Sequence, residues 1–156
     1  MDPIAVADAI AAEAHAGQVD KAGMPYLGHV RRVASYVDPA NTDAVVAALL
    51  HDVIEDTGIT AAELRDRGIA PAAIDAIALL TRRSDRPTAE YYQRISEHPT
   101  AREVKLADLA DNTDPDRLAR LPESDRQRLT QKYGGAYAAL GADFDDGARR
   151  RSLTAQ

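Results

Sequence analysis

The chain has 156 residues, which fits one domain and leaves little room for a second core. With 45% hydrophobic and 28% charged residues it has the balance of a soluble globular protein rather than a disordered one, and its net charge of −6 argues against duplex wrapping. It contains no Cys, which excludes disulfide scaffolds, zinc ribbons and thiol nucleophiles.

Nearly every segment carries a helix signal. Asp2 and Pro3 read as an N-cap and an N1 proline, opening a helix that Gly17 closes. The stretch QVDKAGMPYLG has the Gly and Pro density of a loop, and a helix from Gly28 to Val37 follows. A single helix over Thr42–Asp56 is hydrophobic nearly all round and is expected at the centre of the bundle. Three capping boxes, Thr60 with Glu63, Thr100 with Glu103 and Ser124 with Gln127, predict helices over 60–67, 100–112 and 124–140. Pro71 opens another to Leu80, and one more spans Thr88–Ser96. No hairpin signal appears, and the 31 alanines suit close helix packing. The expected architecture is all-α: one compact bundle over 1–141 with a frayed tail over 142–156. No apolar run approaches the ~20 residues of a membrane span, and the N-terminus lacks a basic leader region. The expected setting is therefore cytoplasmic, with neither nucleic acid nor membrane as partner.

The chemistry concentrates in HDVIEDT. His51 and Asp52 leave a helix about 100° apart, so one cation between the two directions can touch both. Glu55 and Asp56 lie one turn on, on the same side. Carboxylates beside AVVAALL are costly to bury without a cation or hydrogen bonds. His29 follows the Gly-Pro loop, where a helix start can project it inward, and Asp108 sits mid-helix among apolar residues, with Asp111 and Asn112 beside it. Two His and two Asp form a borderline N/O set suited to Mn²⁺, Fe²⁺ or another divalent transition ion.

HAGQVDKAGMPYLGHV (15–30), ALLHDVIEDT (48–57), the LT at 80–81 and VKLADLADN (104–112) together resemble the hydrolase domain of the Rel/SpoT alarmone proteins, HD-domain phosphohydrolases. The chain is most similar to the stand-alone form, the small alarmone hydrolases, and no synthetase domain is expected within it. The resemblance implies an HD-domain helical bundle in which His29, His51, Asp52 and Asp108 bind one Mn²⁺. It implies that Glu55 and Asp56 activate and place the attacking water, and that Asn112 lies near the nucleoside. Of that family's Arg-Lys pair, which packs on guanine, only Lys21 matches, because Asp20 stands at the arginine position. Leu109 likewise stands where many relatives have a basic residue. The implied reaction is Mn²⁺-dependent removal of the 3′-pyrophosphate of (p)ppGpp or a related purine alarmone. The alternatives are a phosphatase acting on another nucleotide, such as an adenine alarmone or NADPH, and a non-catalytic nucleotide-binding domain. Lys21, Arg82, Arg83 and Lys105 are candidate phosphate contacts. Asp20 is expected to point away from the base, so that Asp20→Arg raises guanine-substrate affinity by about 1 kcal/mol.

Overall fold

The computed structural model describes residues 1–154. Among them are eleven helical segments and no strand, the one β feature being an isolated bridge between Val19 and Pro25. The segments are α1 (Pro3–Ala14), α2 (Tyr26–Ser35), α3 (Thr42–Leu50), α4 (Val53–Asp56), α5 (Ala61–Asp66), α6 (Pro71–Leu80), α7 (Thr88–Ser96), α8 (Pro99–Asn112), α9 (Pro115–Leu118), α10 (Glu123–Ala139) and α11 (Phe144–Thr154). The all-α expectation holds. Asp2 caps α1 through the Ile4 N–H, and Pro3, Pro71, Pro99 and Pro115 open their helices where a missing N–H costs nothing.

Helix α3 is the central element. Every residue from Ala44 to Leu50 is buried, and the helix packs on α1, α2, α6 and α8. Truncating fully buried Leu50 to alanine would cost about 2–5 kcal/mol.

The single helix expected over 42–56 is instead two, broken at His51 and Asp52. A continuous helix would pair the Ala48 carbonyl with the Asp52 N–H. Here that carbonyl accepts His51 Nδ1–H at 2.7 Å, and Asp52 relaxes to ψ −1°. The break turns both side chains toward α2 and α8.

Helix α2 starts at Tyr26 rather than Gly28 and ends at Ser35 rather than Val37, because Pro25 leads straight into it and the Tyr26 N–H is anchored on the Gln18 carbonyl. Of the three capping boxes only Thr60 caps as expected, on the Glu63 N–H. His98 caps α8 through the Ala101 N–H, while Glu103 accepts the Asp38 N–H instead. Helix α10 starts at Glu123 behind Pro122 without a side-chain cap.

The tail is not frayed through Thr154. Helix α11 packs on α8, where Arg151 donates to the Ala110 carbonyl at 2.6 Å, and Arg150 donates to the Tyr36 carbonyl at 3.0 Å. Residues 155–156 of the expected tail lie outside the described residues.

Candidate active site and metal centre

Helix α2, the α3–α4 break and α8 bring His29, His51, Asp52 and Asp108 together. His29 Nδ1–H donates to Asp111 Oδ2 at 2.7 Å, which leaves Nε2 with its lone pair 3.1 Å from Asp108 Oδ1. His51 is pinned the same way by the Ala48 carbonyl. Its Nε2 is buried and makes no hydrogen bond, although Asp52 Oδ2 lies at 3.0 Å and Asp108 Oδ1 at 3.4 Å. One ligand atom each from His29, His51 and Asp108 falls within a 4.8 Å cluster. Asp52 sits at its edge, 3.9 Å from His29 Nε2, and its Oδ2 accepts the Tyr26 hydroxyl at 2.5 Å.

Imidazole lone pairs facing carboxylate oxygens in a buried site repel unless a proton or a cation lies between them. Protons are one answer. Burial opposes the imidazolium, yet Asp52 and Asp108 together raise His51 well above its ordinary pKa, and hydrogen bonds to Asp108 and Asp111 raise His29. A divalent ion is the other, and this donor set fits one: two imidazoles with the far nitrogen already fixed, plus carboxylate oxygens. Burial pushes the Asp52 and Asp108 carboxyls up. The His51 charge on Asp52 and the Lys105 ammonium on Asp108 outweigh it, so both stay ionised.

The ligand supports are as ordered as the ligands. Asp111 is fully buried and accepts the Arg32 fork at 2.7 and 3.1 Å as well as His29, with Arg117 Nη1 at 3.3 Å. Lys105 donates to Asp108 Oδ2 at 3.0 Å, and Asn112 Nδ2 donates to Asp108 Oδ1 at 3.3 Å.

His29, His51, Asp52, Asp108, Lys105 and Asn112 line a cleft of 1080 Å³. Glu55 lines it. Its Oε1 accepts the Arg82 backbone N–H at 2.6 Å, and burial with neighbouring Asp52 and Asp56 pushes its carboxyl above the usual range. Asp56 does not share the wall: its carboxylate accepts Gln18 Nε2 at 3.1 Å, and Gln18 in turn accepts His15 Nδ1–H. The structure thus divides the expected Glu55–Asp56 pair between the cleft and the 17–25 loop.

Five cations line the cleft of this acidic chain: Lys21, Arg82, Lys105, Arg117 and Lys132. Arg82 lies 4.3 Å over the Tyr91 ring, a cation–π contact that holds it in place. Burial, reinforced by Lys21, Lys105 and Arg82, lowers the Lys132 pKa. Arg83, by contrast, pairs with Asp85 away from the cleft. Arg117, Lys132 and Tyr26 were not foreseen from the sequence. For Lys132 a signal existed: Leu129 and Ala136, three before and four after, mark the buried face of α10.

Asp20 also differs from expectation. It is not a free negative charge turned away from the site: Asp20 Oδ2 accepts Arg117 Nη2 at 3.0 Å and Nε at 3.3 Å. Arginine at position 20 would therefore meet a second guanidinium, so Asp20→Arg sets two cations side by side instead of adding a base contact.

Residues 7–145 match the family model of the HD domain. A guanosine-3′,5′-bis(diphosphate) 3′-pyrophosphohydrolase of Haemophilus influenzae is 34% identical over 141 residues, covering 84% of this chain and 21% of that protein. A GTP pyrophosphokinase of Myxococcus xanthus is 31% identical over 153 residues, covering 90% of this chain and 20% of that protein. The chain thus spans about a fifth of the length of these curated relatives. A solved structure of a metazoan ortholog of SpoT that hydrolyses ppGpp superposes with a TM-score of 0.73 at 22% identity, covering 98% of this chain and 97% of that one. At that identity the likeness establishes a shared fold.

Proposed function

Because the chain belongs to the HD-domain family, we propose that it is a divalent-metal-dependent hydrolase of (p)ppGpp or a closely related alarmone, with Mn²⁺ as its ion. It removes the 3′-diphosphate as pyrophosphate. The observation that carries this reading is the floor of the cleft, where two imidazoles pinned at Nδ1 turn Nε2 onto Asp108 and Asp52 beneath a wall of cations. The names of the Haemophilus relative and of the metazoan structure supply the substrate class.

His29, His51, Asp52 and Asp108 would hold the ion. When bound, it supplies Lewis acidity toward a phosphate oxygen and acidifies water near neutral pH. Glu55, kept more basic than an ordinary carboxylate, takes the proton of the attacking water. Asp56 tethers Gln18 and with it the loop that carries Lys21, and so serves the nucleotide site rather than the water. Lys105, Arg82 and Lys132 offset charge growing on the phosphoryl oxygens, and Asn112 and Lys21 face the nucleoside. The 3′ oxygen–phosphorus bond breaks, and the released 3′ oxygen takes up a proton.

A second reading, the same chemistry on another phosphorylated nucleotide, is favoured by one observation. Asp20, at the position of the resembled family's guanine-packing arginine, is engaged by Arg117 and offers no base contact. A panel of ppGpp, pppGpp, the adenine analogue and NADPH, assayed with chelator-treated protein and then with Mn²⁺, separates the readings. Metal-dependent pyrophosphate release with guanosine nucleotides preferred supports the first. Phosphate release from NADPH alone supports the second, and no turnover with any divalent ion refutes both.

A further inference from the structure

We propose that Asp20 and Arg117 form a clamp across the mouth of the cleft that positions Lys21 and Asn112 for the nucleotide. This rests on the function proposed above. The loop between α1 and α2 is a self-contained turn. Asp20 N–H donates to the Met24 carbonyl at 2.8 Å, Gly23 at φ +80° closes the bend on the Asp20 carbonyl at 2.9 Å, and Asp20 Oδ1 accepts the Ala22 and Met24 N–H groups at 2.9 and 3.0 Å. Little apolar burial fastens it, since Val19 and Met24 are exposed. Two polar tethers do. Gln18 reaches Asp56 beside the α3–α4 break, and Asp20 Oδ2 reaches Arg117 on α9, across the cleft.

The Asp20 and Arg117 side chains are only 6% and 17% exposed; Asp20 has Arg117 as its cation, while Arg117 divides its charge between Asp20 and Asp111. Lys21 follows Asp20 directly and makes no salt bridge among the described residues while lining the cleft. Its ammonium therefore goes where the clamp sends the loop. The other arm of Arg117 fixes a second group. Nη1 donates to Asn112 Oδ1 at 2.6 Å, so the Asn112 amide nitrogen is the end that faces Asp108. One guanidinium thus sets the aim of two side chains on opposite walls. Both partners are positioning residues, and neither belongs to the metal cluster.

The test compares wild type with Arg117→Gln, with Asp20→Asn, which keeps the turn and removes the charge, and with the double variant. Amide hydrogen exchange, Mn²⁺ titration and steady-state pyrophosphate release are read on each. The clamp predicts exchange at Ala22, Met24 and Tyr26 quickened roughly tenfold in every variant, with the double variant no worse than the poorer single one. For Asp20→Asn it predicts KM raised about tenfold or more, with kcat and Mn²⁺ affinity within about threefold of wild type. Arg117→Gln removes a guanidinium that also lies 3.3 Å from Asp111 Oδ2 and 3.4 Å from His29 Nδ1, so it is read by loop exchange and KM. Loop exchange equal to wild type overturns the clamp, and so does a parallel loss of kcat and Mn²⁺ affinity with KM unchanged in Asp20→Asn, the mark of general damage. A wild type that releases no pyrophosphate refutes the hydrolase reading instead, and the loop exchange then judges the clamp by itself.

Discussion

Asp111→Asn exchanges one oxygen for an amide nitrogen in a fully buried side chain and removes its charge. The carboxylate accepts His29 Nδ1–H at 2.7 Å and the Arg32 fork at 2.7 and 3.1 Å. An amide serves one of these neighbours but not both. With its oxygen toward His29, its NH₂ meets the guanidinium. With its NH₂ toward His29, Nδ1 has to accept and the proton moves to Nε2, which removes the lone pair a metal needs. A hydrogen bond to a charged partner contributes about 1.5–3 kcal/mol. The Arg32 share is discounted, because that side chain is 44% exposed and can return to water. The expected loss of stability is therefore about 2–3 kcal/mol. Orienting partners of metal-bound histidines are worth roughly 10–100-fold in affinity, which is about 1.4–2.7 kcal/mol. Calorimetric titration of chelator-stripped protein with Mn²⁺, beside urea unfolding of the same samples, measures both. A folded variant that binds Mn²⁺ within about twofold of wild type would refute the role of Asp111 in fixing the His29 tautomer.

Asp108→Asn or Asp52→Asn should abolish turnover by emptying the metal site while the helices stay folded, as metal analysis and circular dichroism of the purified variants would establish. Glu55→Gln should keep the ion and lose about 10²–10⁴-fold in kcat; loss of the ion as well would make Glu55 a ligand or its support. Since burial raises the Glu55 pKa and the residue works deprotonated, the acid limb of the wild-type rate profile should lie above the ordinary glutamate range, with the rate falling as pH drops through it. Gly147→Ala should cost about 1–3 kcal/mol in a denaturant melt, because a Cβ there would lie 2.3 Å from the Tyr137 hydroxyl and 3.3 Å from the Ala110 Cα. A neutral result would mean that α11 is not docked.

Helix starts that depend on a local signal were legible in the sequence. Asp2–Pro3 and Pro71 fold as read, because a proline at N1 or a cap acts within one turn; Thr88–Ser96 also folds as read, behind Pro87 and without a side-chain cap. The centrality of α3 was legible for the same reason, from an apolar run too complete for a surface helix. The break at His51 was not, because a side chain displaces a backbone donor there and no periodicity records the exchange. Helix α11 looked like a tail since its own composition is polar. Its order comes from Arg151 on an α8 carbonyl and from a glycine that lets α8 and Tyr137 approach. In the site, the motifs picked out the side chains that meet, yet their supports were hidden. The Asp20–Arg117 pair spans 97 residues, and nothing in DKAGMP or DPDRL announces it. Asp56 was grouped with Glu55 by adjacency, but on a helix of four residues the two diverge, one to the cleft and one to Gln18.

The central claim is tested most directly by hydrolysing ppGpp in ¹⁸O-enriched water with the Mn²⁺-loaded protein and following the products by ³¹P NMR. The account predicts GDP and intact pyrophosphate in equal amounts, with one ¹⁸O on the pyrophosphate and none on the nucleoside 3′ oxygen. Orthophosphate as the product, ¹⁸O in the GDP, or turnover that survives Asp108→Asn would contradict it.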